Sequence, residues 1–321
     1  MERIGVSIGL RDDIELVQRA EELGYHSIWT GEGQGRTGFG KLERWATHTD
    51  RIRLATGIVN IYSRSPATIA QATATLDSHA SGRAILGLGV AHPGVVEEFH
   101  GMEYERPISR MHEYIELVRR YLGGADGAYD GDFFTPERTT LWDAYTVERE
   151  SVPIYNAALG KANVRLTGAV ADGWFPYLFP LEDFERARSW LEAGAKKAGR
   201  DPESVDIVMY LLAAVDDDPA VAKDAARHHI STYLRDIPGY YARVASDAGF
   251  EDDVREVRAV ETTESGADAI SEEFLDAVSV TGTPDDVREQ VATIRDAGVD
   301  MPVIRAPLSS DRAGIERLLE T

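Results

Sequence analysis

A chain of 321 residues with 43% apolar and 28% charged positions has the make-up of a globular protein with a sizeable core, and one α/β barrel with insertions accounts for its length. It carries 55 acidic against 34 basic side chains, a formal net charge of -21, so its surface would repel a phosphate backbone or an anionic bilayer, and nucleic-acid and membrane partners are disfavoured. Cysteine is absent, which removes disulfides, thiolate zinc sites and cysteine nucleophiles.

The acidic residues are spread along the whole chain and lysine is rare, the pattern of a surface adapted to high salt, where self-repulsion is screened. Met1-Glu2-Arg3-Ile4-Gly5-Val6 enters a strand-like run with no charged-then-apolar leader. No stretch is apolar for the roughly 18 residues that a spanning helix needs. A cytoplasmic location is expected.

Short β-branched runs alternate with stretches of helical periodicity, as in a parallel sheet covered by helices. The runs are Ile4 to Gly9, Ser27 to Gly31, Arg53 to Val59, Ala84 to Val90, Pro153 to Leu159, Gly173 to Leu178, Asp206 to Val215 and Met301 to Pro307. Eight runs favour a closed (β/α)8 TIM barrel, a single α/β domain over 1–321, over an open doubly wound sheet. Asp12-Asp13 opens a helix that ends at Leu23-Gly24, Ser65-Pro66 reads as a cap followed by proline at the first helical position, and Thr283-Pro284 repeats that opening for a helix stopping at Gly298. Two segments exceed a minimal barrel. Residues 123–152, rich in Gly, Asp and aromatics, are expected to form a loop or short hairpin, and residues 216–281 carry helical periodicity and an acidic stretch from Glu251 to Glu273. Long insertions of this kind commonly cover an active site.

Barrel enzymes place their chemistry at the C-terminal strand ends. Those ends read Gly31-Glu32-Gly33, Gly57-Ile58-Val59-Asn60, Val90-Ala91-His92-Pro93, Ala157-Ala158-Leu159-Gly160-Lys161 and Trp174-Phe175-Pro176, and several are small enough for a flat ring to approach the backbone. His92 has a side chain whose ordinary pKa lies near working pH, suited to proton donation; a packed or surface histidine is the alternative. Gly160-Lys161 pairs a helix start with an ammonium, a favourable place for an anion. Trp29, Trp174, Phe175 and Tyr177 serve either as walls of a site or as packing. His112 and His228-His229 lack metal-ligand partners in the sequence, so no metal is expected, and Gly9-Leu10-Arg11-Asp12 contains no dinucleotide fingerprint.

The order of motifs resembles the luciferase-like superfamily over nearly the entire chain. Leu54-Ala55-Thr56-Gly57-Ile58-Val59-Asn60 with Ser63-Arg64-Ser65-Pro66-Ala67 is similar to that family's third strand and helix, and Ser81-Gly82-Arg83-Ala84-Ile85-Leu86-Gly87-Leu88-Gly89 to its fourth strand. Arg106-Pro107, Gly168 with Ala171-Asp172-Gly173, and Gly282-Thr283-Pro284 with Ala297-Gly298-Val299-Asp300 follow in the family's order, Gly168 at the turn into the sixth strand. The segment from Gly57 to Arg64 looks closest to the branch using coenzyme F420, a deazaflavin, which includes methylenetetrahydromethanopterin reductases and glucose-6-phosphate dehydrogenases.

The resemblance implies an oxidoreductase that transfers a hydride between the deazaflavin C5 and a small organic substrate. It implies a cis peptide between Gly57 and Ile58 supporting one face of the ring. Gly57, Ile58, Val59, Asn60, Ala91, Ala157, Ala158, Gly160, Lys161 and Trp174 become the expected cofactor-binding residues, with Gly160 and Lys161 at the phosphate tail. His92 and Glu32 become the expected catalytic residues, although Gly33 stands where relatives frequently have His. The alternatives are an FMN-dependent monooxygenase on the same barrel and a non-catalytic cofactor-binding protein. Deazaflavin use is common among halophilic archaea, which agrees with the acidic surface. By analogy, a homodimer would form through the helix around Ala67 to Leu76.

Overall fold

In the computed structural model, which describes residues 3–141, 149, 151–237 and 239–321, all eight predicted runs contain parallel strand. They are β1 (Gly5–Ser7), β2 (Ser27–Thr30), β3 (Arg53–Thr56) continued by β4 (Val59–Asn60), β5 (Ala84–Gly89), β6 (Ile154–Ala157), β7 (Gly173–Trp174), and β8 (Asp206–Ile207) continued by β9 (Tyr210–Val215). A strand outside the predicted runs, β10 (Ser279–Gly282), precedes the last, β11 (Val303–Arg305). β1 pairs with β2, β2 with β3, β3 with β5, and the sheet continues through β6 and β7 to β8. Because β8 runs on into β9, which pairs with β11, and β11 pairs with β1, the sheet closes into a barrel. β10 extends the upper part of β9, where its short Ser279–Gly282 sequence is hidden between two helical stretches.

The helices α1 (Ile14–Glu22), α2 (Gly38–Ala46), α3 (Pro66–His79), α4 (Pro107–Leu122), α5 (Lys161–Val170) and α6 (Phe184–Lys197) follow the strands in turn. The expected caps are present. Asp13 accepts from the backbone N–H of Glu15 and Leu16, and Ser65 accepts from Thr68 with Pro66 behind it. Residues 216–281 hold α7 (Pro219–Asp236), α8 (Tyr240–Asp247), α9 (Glu251–Ala259), α10 (Thr263–Asp268) and α11 (Glu272–Val278), so the acidic stretch is largely helical surface. Then α12 (Pro284–Asp296), opened by a reciprocal capping box between Thr283 and Asp286, and α13 (Arg312–Leu319) complete the chain. No described helix is long and apolar enough to cross a membrane. Within 123–141 no strand forms, and a turn closed by Tyr129 N–H to Pro136 O and Gly131 N–H to Phe134 O takes the place of a hairpin; residues 142–148 and 150 of that insertion lie outside the described ones.

Burial sorts the side chains into two layers. Leu16, Leu42, Trp45, Ile69, Leu86, Val118 and Leu318 pack between strands and helices. Trp29, Tyr155, Phe175 and Tyr210 belong to an inner cluster that continues without a break into Ile230, Val257 and Phe274 of the 216–281 segment, which ties that insertion to the barrel. At the N-terminal end the barrel is plugged: Tyr155 Oη donates to Asp206 at 2.9 Å, and Arg3 holds both oxygens of the same carboxylate. The apolar residues of α3, Ile69, Ala70 and Leu76, are buried within the chain itself, and its outward positions include Thr68 and Gln71.

Gly168 departs from its expected place. It lies inside α5, where a Cβ would stand 2.0 Å from Leu191 O of α6, while a Cβ on Gly194 would stand 2.0 Å from Arg165 O. The two helices cross backbone to backbone, which a side chain on either glycine would prevent.

Candidate active site

Between β3 and β4 the chain carries one residue more than the strand beside it. Ala55 pairs with Ile85, but Val59 pairs with Leu88, so Thr56, Gly57 and Ile58 face only Leu86 and Gly87. The bond between Gly57 and Ile58 is cis, as the resemblance implied. Thr56 Oγ1 donates to Gly87 O at 2.8 Å and accepts from Gly87 N at 2.7 Å, a side chain standing in for the missing rung. On β2 the Gly57 N–H is taken by Thr30 O, and Ile58 O accepts from Glu32 N.

This bulge is walled by residues with little or no side chain. A Cβ on Gly87 would lie 2.0 Å from Thr56 O, one on Gly89 would lie 2.7 Å from Ile58 Cδ1 and 3.7 Å from Ala157 Cβ, and one on Gly31 would lie 3.1 Å from Gly57 O. The result is a shelf of Gly57, Ile58, Gly89 and Ala157 at the strand ends. Trp29 and Phe175 stack beneath it at 4.6 Å between ring centroids, and Tyr210 continues the row at 5.0 Å from Phe175.

Other expected site residues are already occupied. Val59 is fully buried on the helix side of the strand, facing Gly38. Asn60 uses Oδ1 to accept from the backbone of Tyr62 and Ser63, so it shapes the turn instead of reaching into the cleft. Trp174 is fully buried between β7 and its helices, with Nε1 donating to Ala158 O at 2.7 Å and its ring against Phe179 and Phe184. The reason is strand alternation: Phe175 takes the inward position and turns its neighbour out. Ala158, 2% exposed, goes outward with it.

Glu32 is bound on every side. Arg64 donates to both of its oxygens, at 2.5 and 2.9 Å, and Gly38 N–H adds a third bond at 2.7 Å. Neither partner is well exposed, at 9% for the carboxylate and 18% for the guanidinium. The pair fastens the loop after β2 to the loop after β4. Sequence reading missed Lys41, which is 2% exposed and donates to Thr30 Oγ1 at 2.5 Å and Gly31 O at 3.0 Å. Burial pulls its pKa down while Asp12 and Glu32 oppose the shift, and it stiffens the same strand end.

On the other side of the shelf, the chain leaves β5 through Ala91, whose φ of 54° turns it, and His92 leads into a π-helical turn over Gly94–Phe99. The His92 ring is half-buried, with Nδ1 sealed against Gly94 and without a partner among the described residues. Burial lowers its pKa and Glu98 opposes the shift. Next to it, Tyr104 Oη donates to Ala91 O at 3.4 Å and meets Tyr240 Oη of α8 at 2.9 Å, so the 216–281 insertion reaches the rim beside His92. Opposite, Gly160 precedes α5 with no side chain capping its first N–H groups, and exposed Lys161 has no ion-pair partner among the described residues.

A second polar cluster lies across the aromatic row. Arg305, at the end of β11, donates from Nη1 to Tyr177 Oη at 2.6 Å, and His229 of α7 lies 2.5 Å from the same oxygen. Leu308 N donates to His229 Nδ1, so a neutral ring carries its proton on Nε2 and donates it to Tyr177. Burial and the Arg305 charge hold the His229 pKa well below its ordinary 6.5. In the unfolded chain this histidine binds a proton more readily, so the stability it confers is complete above about 6.5 and declines as pH falls below it, by at most ~1.4 kcal/mol per pH unit. His229→Gln is expected to flatten that part of the wild-type melting curve between neutral and mildly acidic pH; equal slopes for the two proteins would refute the assignment.

A family model described as luciferase-like monooxygenase matches residues 2–301. A 5,10-methylenetetrahydromethanopterin reductase of Methanolobus tindarius is 31% identical, covering 94% of this chain and 91% of the relative. The structure of the coenzyme F420-dependent tetrahydromethanopterin reductase of Methanopyrus kandleri superposes with a TM-score of 0.85 at 25% identity, over 100% of this chain and 98% of that one. An F420-dependent secondary alcohol dehydrogenase, solved with an F420-acetone adduct, shares the fold at a TM-score of 0.80 and 20% identity, over 100% of this chain and 98% of that one.

Proposed function

The chain belongs to the luciferase-like monooxygenase family, and from that premise we propose that it is a coenzyme F420-dependent oxidoreductase acting on a small organic substrate. The observation that carries the reading is the Gly57–Ile58 bulge at the strand ends, packed directly on Gly87 and Gly89 and next to the single methyl of Ala157, an arrangement that keeps large neighbouring side chains off the bulge and suits a flat ring laid against it. The uncapped start of α5 with Lys161 suits the anionic tail, since free N–H groups and an ammonium both favour negative charge.

When bound, the deazaflavin supplies or accepts a hydride at C5. The protein's share is orientation, water exclusion and proton management. Gly57, Ile58 and Ala157 would hold the ring, and Gly160 with Lys161 the tail. His92 Nε2, free of partners among the described residues, is the group placed to give a proton to the substrate atom that becomes negative during reduction. Glu32 and Arg64 act as positioning residues, because their charges are spent on one another. Tyr240, from the insertion, contributes to the rim and helps exclude water.

Gly160→Asp separates tail binding from folding. The Gly160 Cβ position has nothing within 4 Å, so an aspartate enters freely, caps α5 and repels an anion. Melting temperature is expected to hold or rise, while coenzyme F420 binds at least about tenfold more weakly, consistent with a lost anion contact. Unchanged affinity would remove the tail from this helix. The activity itself is tested by following oxidation of reduced F420 against ketones, imines and pterins. Oxidation that requires one of these acceptors supports the reading, and flavin-dependent dioxygen uptake in its place would transfer the protein to the monooxygenases.

A further inference from the structure

We propose that Arg305 is the recognition point for an oxyanion, a carboxylate or phosphate group, on the substrate. The inference rests on the barrel being the substrate-reducing site described above, and it adds the substrate's chemical class.

A buried cation is ordinarily paired, because its desolvation is otherwise uncompensated. Arg305 is 7% exposed, yet no carboxylate lies within ion-pair distance of it among the described residues. Its neighbours are phenols and an imidazole: Tyr177, Tyr210, Tyr233 and His229. None of them supplies a counter-charge. Burial drives the Tyr177 phenol well above its ordinary pKa, against the pull of Arg305, and His229 stays neutral for the reasons given above. The cluster therefore keeps one uncompensated positive charge.

The geometry also says which edge is free. Nη1 is committed to Tyr177, and the guanidinium lies over the Tyr177 and Tyr210 rings at 5.4 and 5.9 Å. The guanidinium also interacts with the Tyr210 hydroxyl, which donates to Ser7, and neither Nε nor Nη2 is among the atoms sealed from solvent without a partner. These two N–H groups form the fork that grips a carboxylate or phosphate bidentately. Arg305 closes β11, paired in register with Ser7 and Leu212 and so level with Trp29, and the Trp29–Phe175–Tyr210 row separates it from the Gly57 shelf. Leu308, 51% exposed just beyond β11, is tied to the same cluster through its N–H, which donates to His229.

The test needs no cofactor. Wild type, Arg305→Gln and Arg305→Lys are titrated with acetate and, separately, with inorganic phosphate at constant ionic strength, following tyrosine and tryptophan fluorescence. Saturable binding of at least one anion by wild type is expected, at least tenfold weaker in the glutamine variant and partly kept by lysine. The preferred anion tells a carboxylate substrate from a phosphorylated one. Tyr177→Phe, which leaves the free fork in place, is expected to retain binding and serves if Arg305→Gln does not fold. No saturation by either anion, or equal binding by wild type and Arg305→Gln, overturns the proposal. Anion binding without F420 binding would instead overturn the cofactor reading and leave this one standing.

Discussion

Gly87→Ala is expected to cost about 3 kcal/mol or more of stability and to abolish tight binding of a flat cofactor. The added Cβ would stand 2.0 Å from Thr56 O and 3.4 Å from Ile58 Cγ2. The first of these is backbone, which no side-chain rotation can relieve, so β3 and β5 must part at the point where Thr56 Oγ1 bridges them. Displacing that bridge moves Gly57 and Ile58 together. Gly35→Ala is the control, because nothing lies within 4 Å of its Cβ position, and a change within about 0.5 kcal/mol is expected there. Chemical denaturation of both variants decides the matter. Equal midpoints would mean that the strands are looser here than the distances imply.

His92→Gln is expected to lower turnover in the reducing direction by about 100-fold or more, the usual contribution of a positioned general acid, with little change in melting temperature. The ring is half-buried and its Nδ1 makes no hydrogen bond among the described residues, so the substitution breaks no network. Burial sets the His92 pKa below 6.5, and the protonated donor becomes scarcer as pH rises through that lowered value. Wild-type kcat/KM should therefore decline with rising pH on that limb, and the variant should lack the limb. A variant that keeps both its rate and the limb would assign proton delivery to another group, with Tyr104 and Tyr240 next in place.

Most of the barrel could be read from the sequence because its signals are local. Alternating runs gave the strands, and Asp13, Ser65-Pro66 and Thr283-Pro284 marked helix starts that the hydrogen bonds bear out. The (β/α)8 fold and the family followed from many weak motifs in one order. What escaped was the direction in which strand-end side chains point. Trp174 and Phe175 are equivalent in composition, and only the pleat, fixed by pairing with β6 and β8, sends one into the helix layer and the other into the barrel. Asn60 and Glu32 were recognisable as polar residues at strand ends, but their partners are backbone N–H groups and Arg64, 32 positions away in the chain, which no local pattern announces. Arg305 did leave a signal. An arginine between Ile304 and Ala306 in an otherwise apolar run is a charge where a barrel strand has room only for an inward or a packed side chain. Lys41 and His229 gave none, since buried and exposed positions of a helix are separated only by its docking.

A fluorescence titration of the purified protein in molar salt, with oxidised coenzyme F420 and separately with FMN, measures its cofactor preference directly. Saturable deazaflavin binding that is at least tenfold tighter than FMN binding is the predicted result. Tighter binding of FMN, or binding of neither, would contradict it.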